Sequence, residues 1–182
     1  MHSFEYDFFV IGGGSGGVRA ARWAAGKGLK VGMAEGARLG GTCVNVGCVP
    51  KKLFFHAAEM NEYFHDATGF GWTLHEQPTH HWPSLSQGID KYLRRLNGIY
   101  AAMLERAGVK CYQAWAKFQD EHTIHLSLND GSTQLVTAQY ILLAPGGKAK
   151  LPEIEGRRPL TRQQKGDPIH PRNMRPCSLR GS

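Results

Sequence analysis

No run of this 182-residue chain is long and apolar enough to form a membrane-spanning helix. The first seven residues hold two acids and neither Lys nor Arg, which is unlike a secretory signal. Cysteine is scarce: Cys43, Cys48, Cys111 and Cys177 are too few and too unevenly spaced for a secreted disulfide scaffold. No zinc-ligand spacing and no internal repeat occur either. These absences lead to the expectation of a cytoplasmic protein with no metal and no membrane partner.

What is present is the composition of a folded globule, 41% hydrophobic with 23 glycines. The net charge of +7 resembles a nucleic-acid signal until it is located. Residues 157–182 carry seven basic groups against Asp167 alone, whereas the first 156 residues hold 15 basic and 14 acidic groups. The excess belongs to a proline-rich tail without periodicity, expected to be disordered or an aberrant end, and gives the globule no nucleic-acid partner.

Along the chain, residues 6–11 form a short β-rich apolar run, Gly12 to Gly17 break it, and residues 18–27 continue as an Ala-rich helix before a second strand over 29–34. Pro50 suits the first turn of a helix whose stripe is Leu53, Ala57, Met60 and Phe64. An irregular stretch follows, with Trp72 and Trp82 expected as partly buried anchors, then a helix over 84–106. Strands are expected over 110–118 and 122–128, with Asn129-Asp130-Gly131 as the hairpin turn, and short β segments at 135–136 and 140–143.

Gly12-x-Gly14-x-x-Gly17 lies between a strand and a helix, the context that gives this pattern force. Gly12 allows the tight turn, Gly14 a close approach to a pyrophosphate, and Gly17 close helix packing. Glu35, at the end of the second strand, stands where a carboxylate would accept ribose hydroxyls. The same residues could also serve only as a tight turn and a solvated strand end.

Cys43-Val44-Asn45-Val46-Gly47-Cys48 places two thiols five positions apart. They can bridge if the loop curls enough to bring their α-carbons within roughly 7 Å. Cys48 stands just before the helix-initiating proline, where the helix's positive end and Lys51 favour a thiolate. Cys43 is expected farther out, as the thiol that meets substrate. Two reduced core cysteines, or half of a metal site, are the alternatives.

Residues 6–17, Glu35, and Leu39-Gly40-Gly41-Thr42 with the cysteine segment through Lys52 together resemble the N-terminal FAD domain of the pyridine nucleotide-disulfide oxidoreductases. Arg95-Leu96-Asn97-Gly98-Ile99-Tyr100 is similar to the glutathione reductases among them. The resemblance covers about residues 5–156. It implies an α/β fold: an incomplete Rossmann-like FAD-binding domain over residues 1–156, with a βαβ opening, inserted helices and a small β meander. It also implies a role in glutathione metabolism and cell redox homeostasis, in which NADPH reduces FAD, FAD reduces a Cys43–Cys48 disulfide, and the dithiol reduces glutathione disulfide. By matching positions, Cys43 would attack substrate, Cys48 would contact the flavin, and Lys51 would sit beside it. Gly12, Gly14, Ser15, Gly16, Gly17, Glu35, Gly41, Thr42, Ala116 and Gly146 would line the FAD. Ser15, Arg22 and Tyr100 would contact glutathione.

Long members of that family continue into an NADPH domain and a dimer-forming domain that supplies a catalytic His–Glu pair, and nothing here matches either. The chain is therefore expected to be a truncated homodimer-family enzyme of doubtful turnover, FAD-weak or poorly soluble, with an uncovered sheet edge. Pro145, where the family usually has Thr, is expected to disturb the FAD geometry. A mercury, trypanothione or thioredoxin-type reductase, or a noncatalytic FAD-binding module, are the competing readings.

Overall fold

A computed structural model describes residues 4–76, 78–148 and 150. The tail expected to be disordered lies outside them. The described residues divide into two compact units, residues 4–50 with 93–148, and residues 51–92 with 150.

In the first unit, β1 (Tyr6–Ile11) runs parallel to β2 (Val31–Glu35) on one side and to β5 (Thr133–Leu143) on the other. A strand flanked on both edges and covered on both faces must be apolar almost throughout, which is why Tyr-Asp-Phe-Phe-Val-Ile forms it. Successive side chains alternate between two cores. Phe9 enters a cluster with Tyr6, Ala34, Ala114, Ile124, Leu126, Val136 and Ala138. Val10 enters another with Val31, Met33, Val109, and with Val18, Ala21 and Ala24 of α1 (Ser15–Ala25). Leu104, from the last turns of α4 (Trp82–Arg106), completes that second core.

The sheet is closed, and this corrects the expectation of an incomplete, open Rossmann-like domain. Five strands pair in the order β1-β2-β3-β4-β5 and return to β1. The cause is that two strands each pair with different neighbours along their length. β3 (Lys110–Phe118) lies parallel to β2 through Gln113 and antiparallel to β4 (Thr123–Leu128) from Ala114 onward. In β5, Thr133 to Thr137 pair with β4 and Ala138 to Leu143 with β1. The two segments expected at 135–136 and 140–143 are thus one strand. Closure also removes the uncovered edge expected from the sequence, since no strand of the ring lacks a neighbour among the described residues. Side chains fill the interior, as in other small barrels. Tyr6 and Tyr112 share a hydroxyl hydrogen bond of 2.6 Å there, and burial, then that bond, pushes the Tyr6 phenol well above its ordinary pKa.

The second unit contains most of α3 (Cys48–Asp66), a 3-10 turn (Ala67–Phe70), and the opening of α4. The Phe54 and Trp82 rings stack 5.4 Å apart, so Trp82 is the half-buried anchor expected. Trp72 is 71% exposed and anchors nothing.

Phe9 is fully buried at the centre of the ring, where β2 carries a glycine, Gly32, directly against its edge. Phe9→Ala is expected to lower unfolding free energy by about 3–5 kcal/mol, measured by urea denaturation, with β1 rather than α3 losing hydrogen-exchange protection.

Candidate nucleotide and dithiol site

At two positions of the turn between β1 and α1, backbone contacts leave no room for a side chain. Gly12 has φ 111°, and a β-carbon on it would strike the Ala144 carbonyl. One on Gly17 would strike the Gly12 carbonyl, so α1 lies directly on the turn. The Gly12 amide donates to the Ala34 carbonyl at 2.8 Å, and the Ala144 amide to the Ile11 carbonyl at 2.8 Å. These bonds bring the ends of β1, β2 and β5 to one place.

The cysteine segment is fastened to the same turn. The Gly40 amide donates to the Gly13 carbonyl at 2.8 Å. A β-carbon on Gly41 would come within 2.7 Å of the Gly14 α-carbon. Gly41 opens the short helix α2 (Gly41–Asn45), which carries Thr42 and Cys43. Two glycine backbones therefore meet face to face at the start of α1, whose N-cap Gly14 offers no capping side chain and whose first turn has no acid. Uncapped amides beside a floor without side chains suit a phosphate.

Glu35 stands beside this cradle. Its Oε2 accepts from the Gly13 amide at 2.6 Å and its Oε1 from the Ala37 amide at 2.7 Å. It ties β2 to the glycine turn, and each oxygen keeps a lone pair for a hydroxyl donor. Gln113 Nε2 donates to the Glu35 and Ala37 carbonyls, steadying this strand end. Ala116 lies three residues farther along β3, paired with Leu126, and Gly146 follows Ala144 past the glycine turn with φ 75°. Ser15 and Gly16 are exposed at the start of α1.

Both described cysteines of the pair are free thiols, Cys43 half-buried and Cys48 exposed. The Cys48 thiol hydrogen-bonds Cys43 and pushes the Cys43 pKa above its ordinary value, with desolvation adding to the rise; the Cys48 amide pulls the other way. The thiols are thus neighbours. α3 begins at Cys48 itself, two residues earlier than the sequence indicates, with Pro50 inside the first turn. The outer position expected for Cys43 is not observed, since Cys48 is the more exposed of the two. Lys51 belongs to the second unit and is exposed, three residues past Cys48 on α3. Ser15 and Arg22 lie two turns apart on an exposed flank of α1. Tyr100, on α4, packs against the core beneath α1.

Sequence reasoning gave no role to two asparagines. Asn45 Nδ2 donates to the carbonyls of Arg38, Leu39 and Gly41 at 3.3, 3.1 and 3.0 Å. Asn97 Nδ2, from α4, donates to the Leu39 carbonyl at 2.8 Å and to Asn45 Oδ1 at 2.9 Å. The sequence signal was the presence of both inside the motifs, Asn45 between the cysteines and Asn97 in the segment 95–100.

Uncapped helix amides over a glycine floor are thus joined by one short segment to a pair of adjacent thiols. The chain belongs to the pyridine nucleotide-disulphide oxidoreductase family, which matches residues 6–173. It is 43% identical over 157 residues to a glutathione reductase from Burkholderia cepacia, covering 86% of this chain and 33% of that protein. It is 41% identical over 160 residues to a glutathione reductase from Yarrowia lipolytica, covering 84% and 34%. To thioredoxin reductase SEP1 of Emiliania huxleyi it is 39% identical over 165 residues, covering 86% and 33%. The chain spans about a third of the length of these relatives.

Because the Cys48 thiol holds the Cys43 proton in place, Cys48→Ala is expected to lower the Cys43 pKa. Iodoacetamide labelling of Cys43 near pH 8 then accelerates, and its pH midpoint moves down. An unchanged midpoint would contradict the thiol–thiol bond.

Proposed function

We propose that this chain forms the FAD-binding portion of a flavin-dependent disulfide reductase whose substrate is glutathione disulfide. The observation that carries the reading is the backbone contact of Gly41 on Gly14, which joins a phosphate cradle to the loop holding Cys43 and Cys48. The residues fit FAD: uncapped α1 amides and the glycine floor for the pyrophosphate, and Glu35 for a ribose. When bound, FAD supplies the two electrons that return a Cys43–Cys48 disulfide to the dithiol.

The protein's own part is thiol–disulfide exchange. A thiolate at Cys43 attacks one sulfur of the substrate disulfide, releasing one thiolate and leaving a mixed disulfide. Cys48, held beside it, attacks the Cys43 sulfur, forms the Cys43–Cys48 bond and releases the second thiolate. Ser15 and Arg22 on the flank of α1, and Tyr100, are proposed contacts for the substrate; Arg22 suits a peptide carboxylate because its donors form a fork. The complete activity proposed is NADPH-dependent, in a homodimer and in a reducing, cytoplasmic setting.

A thioredoxin-type substrate is the second reading, favoured by the 39% identity to the Emiliania huxleyi reductase. Titrated with FAD, the chain is expected to bind the flavin, but weakly, as expected of a truncated domain. Gly14→Val is expected to weaken that binding by roughly tenfold or more, the equivalent of one or two lost hydrogen bonds to a charged group. Photoreduced flavin on the wild-type chain should pass electrons to the Cys43–Cys48 disulfide, and the product should then reduce glutathione disulfide faster than oxidised thioredoxin. Flavin retained without any electron transfer to the pair would leave only a noncatalytic FAD-binding module.

A further inference from the structure

Between the two cysteines lies a side chain whose every polar atom is used. The Asn45 amide nitrogen faces three carbonyls of its own loop, so its oxygen must face the other way, and Asn97 Nδ2 meets it there at 2.9 Å. Asn97 places its second hydrogen on the Leu39 carbonyl, which Asn45 also contacts. The orientation of both amides is fixed by this arrangement, because flipping either one would set like groups against each other. The loop from Arg38 to Asn45 is thereby pinned at two points to α4, a helix separated from it by about fifty residues of sequence.

We infer that Asn97 is a positioning residue for the redox pair: by clamping Leu39 and Asn45 it holds the loop curled so that Cys43 and Cys48 lie within bonding reach. This rests on the reading of the pair as a redox couple. A loop fastened only by Asn45 would keep its internal turn but lose its anchor to the helix. The thiols would sample separations too large to bridge, and their effective concentration toward one another would fall. The glycine cradle is held by separate contacts, Gly40 on Gly13 and Gly41 on Gly14, so the clamp acts chiefly on the thiol side of the loop.

The clamp depends on donors, which gives a test that packing alone would not pass. Asn97→Asp keeps the size and shape of the side chain but sets a carboxylate against the Leu39 carbonyl and Asn45 Oδ1. Asn97→Leu removes the donors and keeps apolar volume. The full chain and both variants are equilibrated with mixtures of oxidised and reduced dithiothreitol. In this exchange the two protein thiols give two electrons and two protons to the reagent's disulfide and become the Cys43–Cys48 bond. Closure is read by acid quenching, alkylation and peptide mass spectrometry, with Cys111, exposed on β3 but with its thiol pKa raised by desolvation, as an internal reporter of the fold.

Both variants are expected to show a roughly tenfold smaller equilibrium constant for closure, the size carried by two neutral hydrogen bonds, with Cys111 labelling unchanged. Wild-type closure matched by both variants overturns the inference. Closure reduced in Asn97→Leu but normal in Asn97→Asp also overturns it, since packing would then be the cause. Faster Cys111 labelling in step with lost closure assigns Asn97 to general stability and overturns the positioning role. If the wild-type chain forms no Cys43–Cys48 bond at any ratio, the redox reading itself fails, separately from the clamp.

Discussion

Three approaches of backbone to backbone, each possible only because a β-carbon is missing, hold the N-terminal half of the first unit in register. Gly12 lies against Ala144, Gly17 against Gly12, and Gly41 against Gly14. The first brings β5 to the end of β1, the second seats α1, and the third attaches the thiol loop. An added methyl group at any of the three must displace main chain, which has few soft directions in which to yield. The strand ends, the helix N-terminus and the thiol-bearing segment are therefore joined through a few main-chain atoms.

The electrostatics around that point are spare. Glu35 is satisfied by two backbone amides, and α1 begins without an acid or a capping side chain. The Cys48 thiol beside Cys43 raises the Cys43 pKa, with desolvation adding to the rise.

The parts legible in the sequence are those with local causes. The strand at residues 6–11, the glycine turn, the Ala-rich helix and the hairpin at Asn129-Asp130-Gly131 follow from patterns within a few residues, and all are observed. The cysteine pair was legible from its spacing. Ring closure was not, because it depends on β3 and β5 each changing partner midway, and neither Gln113-Ala114 nor Thr137-Ala138 carries any local mark of that change. The start of α3 was misplaced because Pro50 tolerates positions throughout the first helical turn, so it signals a helix without fixing its first residue. Asn97 was invisible as a clamp because its partners lie more than fifty residues away.

The pairing of β1 with β5 also bears on how the chain is born. The Glu5 amide bonds the Thr137 hydroxyl across 132 residues of sequence, and the ladder beside it joins β1 to β5. On a ribosome, β1 must wait with one flank bare while nearly the whole unit is synthesised. Long-range pairing of this kind slows folding, and an unfilled flank on an apolar strand invites partners from other chains. The feature that gives the finished ring no edge thus makes its nascent form dependent on timing, and on whatever shields β1 until β5 arrives.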